Sequence, residues 1–144
     1  MISFFVPGVP IPKGSAKSFY NPKAHKVVTM QDNRDRQRPW ASLIAYTAQE
    51  VGCKPVDGPV KITLHFFFPR PKNHYGTGKN INNLKESAPT YHITTPDLDK
   101  LERCVLDSLT GVVWHDDKQV REMASKKDYV HATSEGVAVM IEEV

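Results

Sequence analysis

The sequence predicts an α+β domain: a small mixed or antiparallel sheet with two main helices packed on one face. Three observations lead there. Val60, Ile62, Leu64, Phe66 and Phe68 alternate with Lys61, Thr63, His65 and Phe67, the period-two pattern of a half-buried strand. Leu98, Leu101, Val105 and Leu109 recur at helical spacing, with Cys104 beside them, an apolar stripe wide enough to lie on a sheet. Short apolar runs near both ends, Ile2 to Val6 and Val137 to Ile141, supply further strands for such a layer. The 144 residues suit a single domain, 1–144, and an apolar content of 40% supports an ordinary core.

Taken in order, Ile2 to Val6 reads as a strand, and Pro7 to Gly14 is irregular because prolines and glycines punctuate it. Lys13, Lys17, Lys23 and Lys26 follow, interleaved with Phe19 and Tyr20, and Val27 to Met30 is a brief strand. Lysines with neighbouring rings suit phosphates and stacked bases, or equally a solvated loop. A helix is expected over Arg34 to Val51, burying Trp40, Leu43, Ile44, Thr47 and Val51. Arg34, Arg36 and Arg38 crowd its first turns, the less favourable end for positive charge, which a phosphate ligand or a solvent-facing position accommodates. The alternating strand ends at Pro69-Arg70-Pro71-Lys72. Asn73 to Pro89 reads as a polar loop with one short helix. Thr94, Thr95 and Pro96 are entry signals for the second helix, with Pro96 in its first turn. A strand interrupted near Ala124-Ser125 is expected over Val120 to His131, followed by a turn at Ser134-Glu135-Gly136 and a closing strand.

Charge is unevenly distributed. The net formal charge is only +3, yet residues 1–85 hold 13 basic and 4 acidic side chains, and the remainder 6 and 12. One part suits a polyanion and the other a cation. Cys53 and Cys104 have no metal-like spacing and fit a reduced, intracellular, cytoplasmic chain. No stretch is long and apolar enough to span a membrane, and the first residues do not form a signal peptide. There is no Gly-x-Gly-x-x-Gly or Walker motif, no zinc-like histidine spacing, and no relay partner for Ser108, Ser125 or the cysteines.

The acidic residues carry the chemistry. Asp97 and Asp99 sit where the second helix starts; free backbone N–H groups there favour carboxylates in any case. Within a regular helix the two would diverge by about 200°, but at a loop-to-helix junction both can turn inward. Asp99 and Arg103 share a face, as a surface ion pair or as site residues. Asp116 and Asp117 follow the turn at Gly111. If Val112 to Trp114 lead back towards the helix start, carboxylates converge and need a cation between them. An all-oxygen site suits Mg²⁺, with Mn²⁺ as a substitute. The plainer reading of Asp116-Asp117 is a solvated turn.

Thr95-Pro96-Asp97-Leu98-Asp99-Lys100-Leu101, then Leu106-Asp107-Ser108-Leu109-Thr110 with Gly111, then Trp114-His115-Asp116-Asp117-Lys118-Gln119-Val120, resemble the RusA family of Holliday junction resolvases, often carried by phages and prophages. The ordered combination covers about a third of the chain closely and is far more specific than any one part. A Gly-x-Pro-x-Pro-Lys start and a long strand before the acidic segment agree loosely. The resemblance implies a RusA-like α+β homodimer that cleaves four-way DNA junctions with Mg²⁺, leaving 5′-phosphate and 3′-hydroxyl ends. It implies Asp97, Asp99 and Asp117 as essential metal-binding aspartates, with Asp116 an acidic neighbour of lesser role. Two positions depart from the family. Arg103 stands where a functional lysine is usual, and Lys100 where asparagine is usual. Arginine holds phosphate but is a poor proton donor at neutral pH, so charge stabilisation survives the change better than proton delivery.

The expected function is therefore Mg²⁺-dependent hydrolysis of phosphodiesters in branched DNA. Asp97, Asp99 and Asp117 hold metal, with Asp116 beside them, and Arg103 stabilises developing charge. Lys13, Lys17 and Lys23 are candidate DNA contacts, together with Arg34, Arg36, Arg38, Lys72 and Lys100. The alternatives are a nuclease preferring flaps or forks, a branched-DNA-binding protein without turnover, and an interaction domain whose acidic residues only form solvated turns.

Overall fold

A computed structural model describes residues 1–14, 16–31, 33–131 and 133–144, the side chains of 16–19 and 28–31 excepted. In chain order the elements are β1 (Ile2–Pro7), β2 (Ala16–Asn21), β3 (Lys26–Gln31), α1 (Arg34–Glu50), β4 (Val60–Pro69), α2 (Leu98–Leu109), β5 (Val120–Val130) and β6 (Gly136–Glu143). Four strands form one sheet in the order β1-β6-β4-β5. β6 runs antiparallel to both β1 and β4, while β4 and β5 are parallel, joined by the crossover that contains α2. The sheet is mixed, and both helices lie on its apolar face.

β4 is the spine because its period-two pattern is realised in full. Val60, Ile62, Leu64, Phe66 and Phe68 are all buried, and the residues between them are only half-buried. Their neighbours continue the pattern in rows across the sheet. One row is Phe4–Val139–Leu64–Ser125 and the next Val6–Val137–Phe66–Lys127. The apolar rows thus run out into a serine and a lysine on β5, on the same side as the helices. Polar groups on a core-facing side need a partner, and both find one at the start of α2.

α2 buries Leu101, Cys104, Val105 and Leu109, the stripe its spacing predicts. Each such aliphatic side chain stabilises the fold by roughly 1.5–3 kcal/mol through burial. Gly111, at φ +86, turns the chain after the helix, where a side chain would be strained. Trp114 is wholly buried and ties that turn back by donating its indole N–H to Thr110 Oγ1 at 3.0 Å. Gly136 is required for a different reason: a Cβ there would lie 2.3 Å from the Val6 carbonyl oxygen, across the β1–β6 pairing.

Several expectations are corrected. Residues Ala16–Asn21 form a strand, pairing with β3 as a separate two-stranded hairpin. α1 buries Trp40, Ile44 and Ala48, four residues apart, and leaves Leu43 and Val51 exposed. It packs chiefly on α2 and β1, so only a narrow stripe is covered. β5 runs uninterrupted through Ala124 and Ser125, paired to Thr63 and Leu64. Pro96 lies before the helix, with Asp97 at the N-cap, and the 73–89 loop holds two short 3₁₀ turns, Lys72–His74 and Gly78–Asn80. Among the described residues no helix is long and apolar enough to cross a membrane.

Candidate active site

The start of α2 collects the first two aspartates. Asp97 is the N-cap, its backbone extended (φ −69, ψ 140), and its carbonyl accepts the Leu101 N–H. An aspartate there ordinarily turns its carboxylate back on the helix's free N–H groups. Asp97 makes no such capping bond. Its carboxylate is 60% exposed and its nearest ion-pair partner, Lys100 Nζ, stands off at 4.0 Å. Asp99, in the first turn, lies 3.6 Å from Arg103, both side chains more than half exposed. Contacts this open and this long hold little energy, under about 1 kcal/mol. The two carboxylates are therefore available to a ligand.

They are not surrounded by acid alone. A hollow of about 440 Å³ is walled by Val9, Pro10 and Pro12, by Phe68 at the end of β4, by Thr95 and Pro96, and by Asp97, Lys100 and Arg36. The Pro-rich segment and the first turns of α1, far away in sequence, thus meet the start of α2. The Lys13 N–H donating to the Lys100 carbonyl at 3.0 Å holds the segment there. Two cations and a carboxylate facing one hollow suit a phosphate accompanied by a metal ion.

β5 supports the start of α2 from the sheet. Lys127 donates to the carbonyls of Thr94 and Pro96 at 2.6 and 2.8 Å, and its burial lowers its pKa, against the pull of Asp97. Glu102, one turn beyond Asp99, is hydrogen-bonded to Ser125; burial above all, and to a lesser degree the Asp99 charge, raise its pKa from the ordinary value despite that bond. Sequence reasoning missed both. The available signal was polar residues on the core-facing parity of β5, but parity cannot be read for a strand whose partner and register are unknown.

Asp116 and Asp117 lie elsewhere. They open the short 3₁₀ turn Asp117–Gln119 that precedes β5. Asp116 accepts the Lys118 N–H at 2.9 Å, which lowers its pKa, and Gln119 Oε1 accepts the N–H groups of His115 and Asp116. The Gln119 amide in turn donates to the carbonyls of Val56 and Gly58. This turn sits at the end of β5 opposite Lys127. Seven residues of strand, about 3.3 Å each, separate Val120 from Lys127, and the 12 residues of α2 span about 18 Å. Asp117 is thus on the order of 20 Å from Asp97, and the expected convergence of three carboxylates does not occur within one chain. Among the described residues no cluster of three metal-ligating side chains exists. The cause is direct: Val112 to Trp114 do not lead back along α2 but form its terminal turn, with Val113 and Trp114 buried.

The basic residues divide. Arg36 and Lys100 reach the hollow, while Arg34 and Arg38 are exposed on the same helical turns. Lys13 is ion-paired with Asp107 and so partly neutralised. Lys23 is exposed at the β2–β3 turn, and Lys72 is exposed beyond β4. The side chain of Lys17 lies outside the described residues. His115 pairs with Asp57 at 3.0 Å, and His65 pairs with Asp128 on the uncovered sheet face. Neither cysteine suits nucleophilic work: both are buried, and burial pushes the Cys104 thiol up to about 11.

Comparison with known proteins gives the family. The chain is 28% identical over 144 residues to the uncharacterized protein YqaN of Bacillus subtilis (strain 168), covering 99% of this chain and 96% of that protein. A family model described as endodeoxyribonuclease RusA matches residues 7–142, nearly the whole chain, including the hollow, both aspartate pairs and β5. The chain belongs to the RusA endodeoxyribonuclease family.

Proposed function

We propose that this protein is a Mg²⁺-dependent endonuclease that resolves four-way DNA junctions. The observation that carries this reading is the uncommitted Asp97 carboxylate at the start of α2, beside Asp99 and in one hollow with Arg36 and Lys100. Mg²⁺ binds commonly through one or two carboxylates, with water and phosphate oxygens completing its shell. Asp97 and Asp99 fit that description, and Mn²⁺ accepts the same donors. A bound Mg²⁺ supplies charge neutralisation at the scissile phosphate and makes the attacking water more acidic. Arg36, from α1, and Lys100, one turn along α2 from Asp97, bind the phosphate. Arg103, one turn above Asp99, balances charge growing on the non-bridging oxygens but keeps its own proton.

The place of Asp117 follows from its separation. If it serves the same site, it does so in a second copy. An isologous two-fold contact alongside β5, at the edge of the sheet where Tyr91 covers its outer side at Asp128, meets that requirement. Antiparallel approach brings the start of one β5, next to Asp117, beside the end of the other, next to Asp97. Two such sites, related by the two-fold axis, face the two strands that a junction resolvase must cut.

The substrate is tested with synthetic four-way, forked, flap and linear DNA in Mg²⁺ and Mn²⁺. Cleavage of the four-way junction ahead of the others supports the proposal, flap or fork preference selects the alternative nuclease, and salt-sensitive binding without cleavage selects a junction binder. The shared site is tested by mixing Asp97→Asn and Asp117→Asn proteins, each inactive alone. Mixed dimers contain one intact site if the carboxylates meet across the interface, and regain nicking. No recovery in dimers shown to have exchanged subunits refutes the shared site.

A further inference from the structure

Lys127 belongs to none of the motifs that mark the family resemblance, yet it binds the segment that leads into the proposed site. It continues the inner-face row Val6–Val137–Phe66, whose three apolar residues are fully buried, so its stem lies along the core. Its ammonium then leaves the core and binds two main-chain oxygens, Thr94 O at 2.6 Å and Pro96 O at 2.8 Å. These flank Thr95, and the second belongs to the residue immediately before Asp97. Upstream, Tyr91 is bridged to Asp128 on β5, and His92 is buried against Phe68 and Tyr129. Between those anchors and Asp97, the Thr94 hydroxyl reaches only the next carbonyl, at 3.5 Å, and Ile93 and Thr94 are exposed. Lys127 thus tethers the last residues before Asp97, Thr94 to Pro96, to the sheet.

We propose that Lys127 is a positioning residue for metal binding, fixing through the Thr94 and Pro96 carbonyls the direction in which Asp97 enters the hollow. This rests on the reading of Asp97 as a metal ligand. A tether and a bare charge predict opposite effects. A cation beside a metal site repels the ion, so a lysine acting by charge alone weakens metal binding, and its removal strengthens it. A lysine acting as a tether does the reverse: without it the carboxylate is less often in place, and metal binds more weakly.

The experiment titrates Mn²⁺ into the full-length protein by calorimetry, for wild type, Lys127→Met and Lys127→Gln. It also measures four-way-junction binding in EDTA and the Mg²⁺ concentration giving half-maximal cleavage. Lys127→Met is expected to weaken Mn²⁺ binding and raise the Mg²⁺ requirement at least tenfold, with metal-free junction affinity changed less than threefold. Lys127→Gln is uncharged but keeps an N–H donor, and is expected to recover at least a third of the lost metal affinity. Unchanged or tighter Mn²⁺ binding in a folded Lys127→Met protein overturns the proposal. Where Lys127→Met does not fold, Lys127→Gln decides alone, and Mn²⁺ affinity tighter than wild type refutes the tether. A wild-type protein that binds Mn²⁺ but cuts no branched DNA refutes the nuclease reading and leaves the tether to be judged on the titration.

Discussion

Replacing Asp97 by Asn separates the two things a carboxylate at a helix start can do. On the structural side the loss is small. Asparagine caps helices as well as aspartate, and Asp97 makes no capping bond to lose. The contact with Lys100 is 4.0 Å long, with the carboxylate 60% exposed, and contributes about 0.5 kcal/mol or less. A negative charge facing the helix's N-terminal dipole adds about 0.3–1 kcal/mol. The expected destabilisation is therefore about 1 kcal/mol, a fall in melting temperature of about 2–6 °C for a chain of this size. On the functional side, losing a carboxylate that holds the metal weakens the charge neutralisation the metal supplies at the phosphate, a loss of about 3–4 kcal/mol of transition-state stabilisation, or roughly 10²–10³ in rate. Calorimetric melting and initial rates of four-way-junction cleavage at saturating Mg²⁺ measure the two sides. Cleavage within threefold of wild type refutes the assignment of Asp97 to the chemistry. A melting point lowered by more than about 10 °C refutes the premise that its carboxylate is structurally idle.

Three further outcomes follow from the packing. Leu101 is fully buried beneath the same helix start, so Leu101→Ala should cost about 3 kcal/mol in urea unfolding, and a loss below about 1 kcal/mol would contradict its place in the core. Cys104, buried and with its thiol pushed up to about 11, should resist iodoacetamide at pH 8 until denaturant is added; mass spectrometry reads the difference. The Lys118 N–H bond lowers the pKa of Asp116, so its contribution to stability is full above the unfolded carboxylate pKa and lost as pH falls through the folded one. The gap in melting temperature between wild type and Asp116→Ala should accordingly close on acidification below the usual carboxylate range, and a gap independent of pH would exclude this cause.

The legible parts of the fold were those where local pattern and tertiary environment agree. β4 and α2 each present one face to a continuous core, so their periods of 2 and about 3.6 survive intact in the sequence. α1 was read less well because it meets its neighbours along a single narrow stripe. Leu43 and Val51 look like core residues by composition and are left outside by geometry. Asp97 and Asp99 were legible because a helix start is a local event. The distance to Asp117 was not, since it depends on whether three apolar residues after Gly111 return along the helix or cap it. Trp114 decides the matter by burying itself against the end of α2, and nothing in a run of Val-Val-Trp announces which way it will fold.

The uneven charge takes on its meaning only in three dimensions. Read along the chain, a basic first part and an acidic second part suggest two separate surfaces, one for DNA and one for a cation. The fold does not keep them apart. The Pro-rich segment, fastened to α2 through Lys13 and Lys100, lines one wall of the hollow, and Arg36 stands in the same hollow as Asp97. Cleaving a phosphodiester requires this mixture. Carboxylates alone repel the backbone they are meant to cut, and cations alone bind it without a place for the metal. A hollow lined by both can hold the phosphate and the metal ion together, with net charge low enough that neither drives the other out. Reversing Arg36 to Glu therefore bears on metal and DNA at once: it leaves the metal more strongly attracted and the phosphate more strongly repelled. Tighter Mn²⁺ binding together with weaker junction binding is the signature of a shared hollow, and loss of junction affinity with Mn²⁺ binding unchanged would show that Arg36 serves the DNA alone.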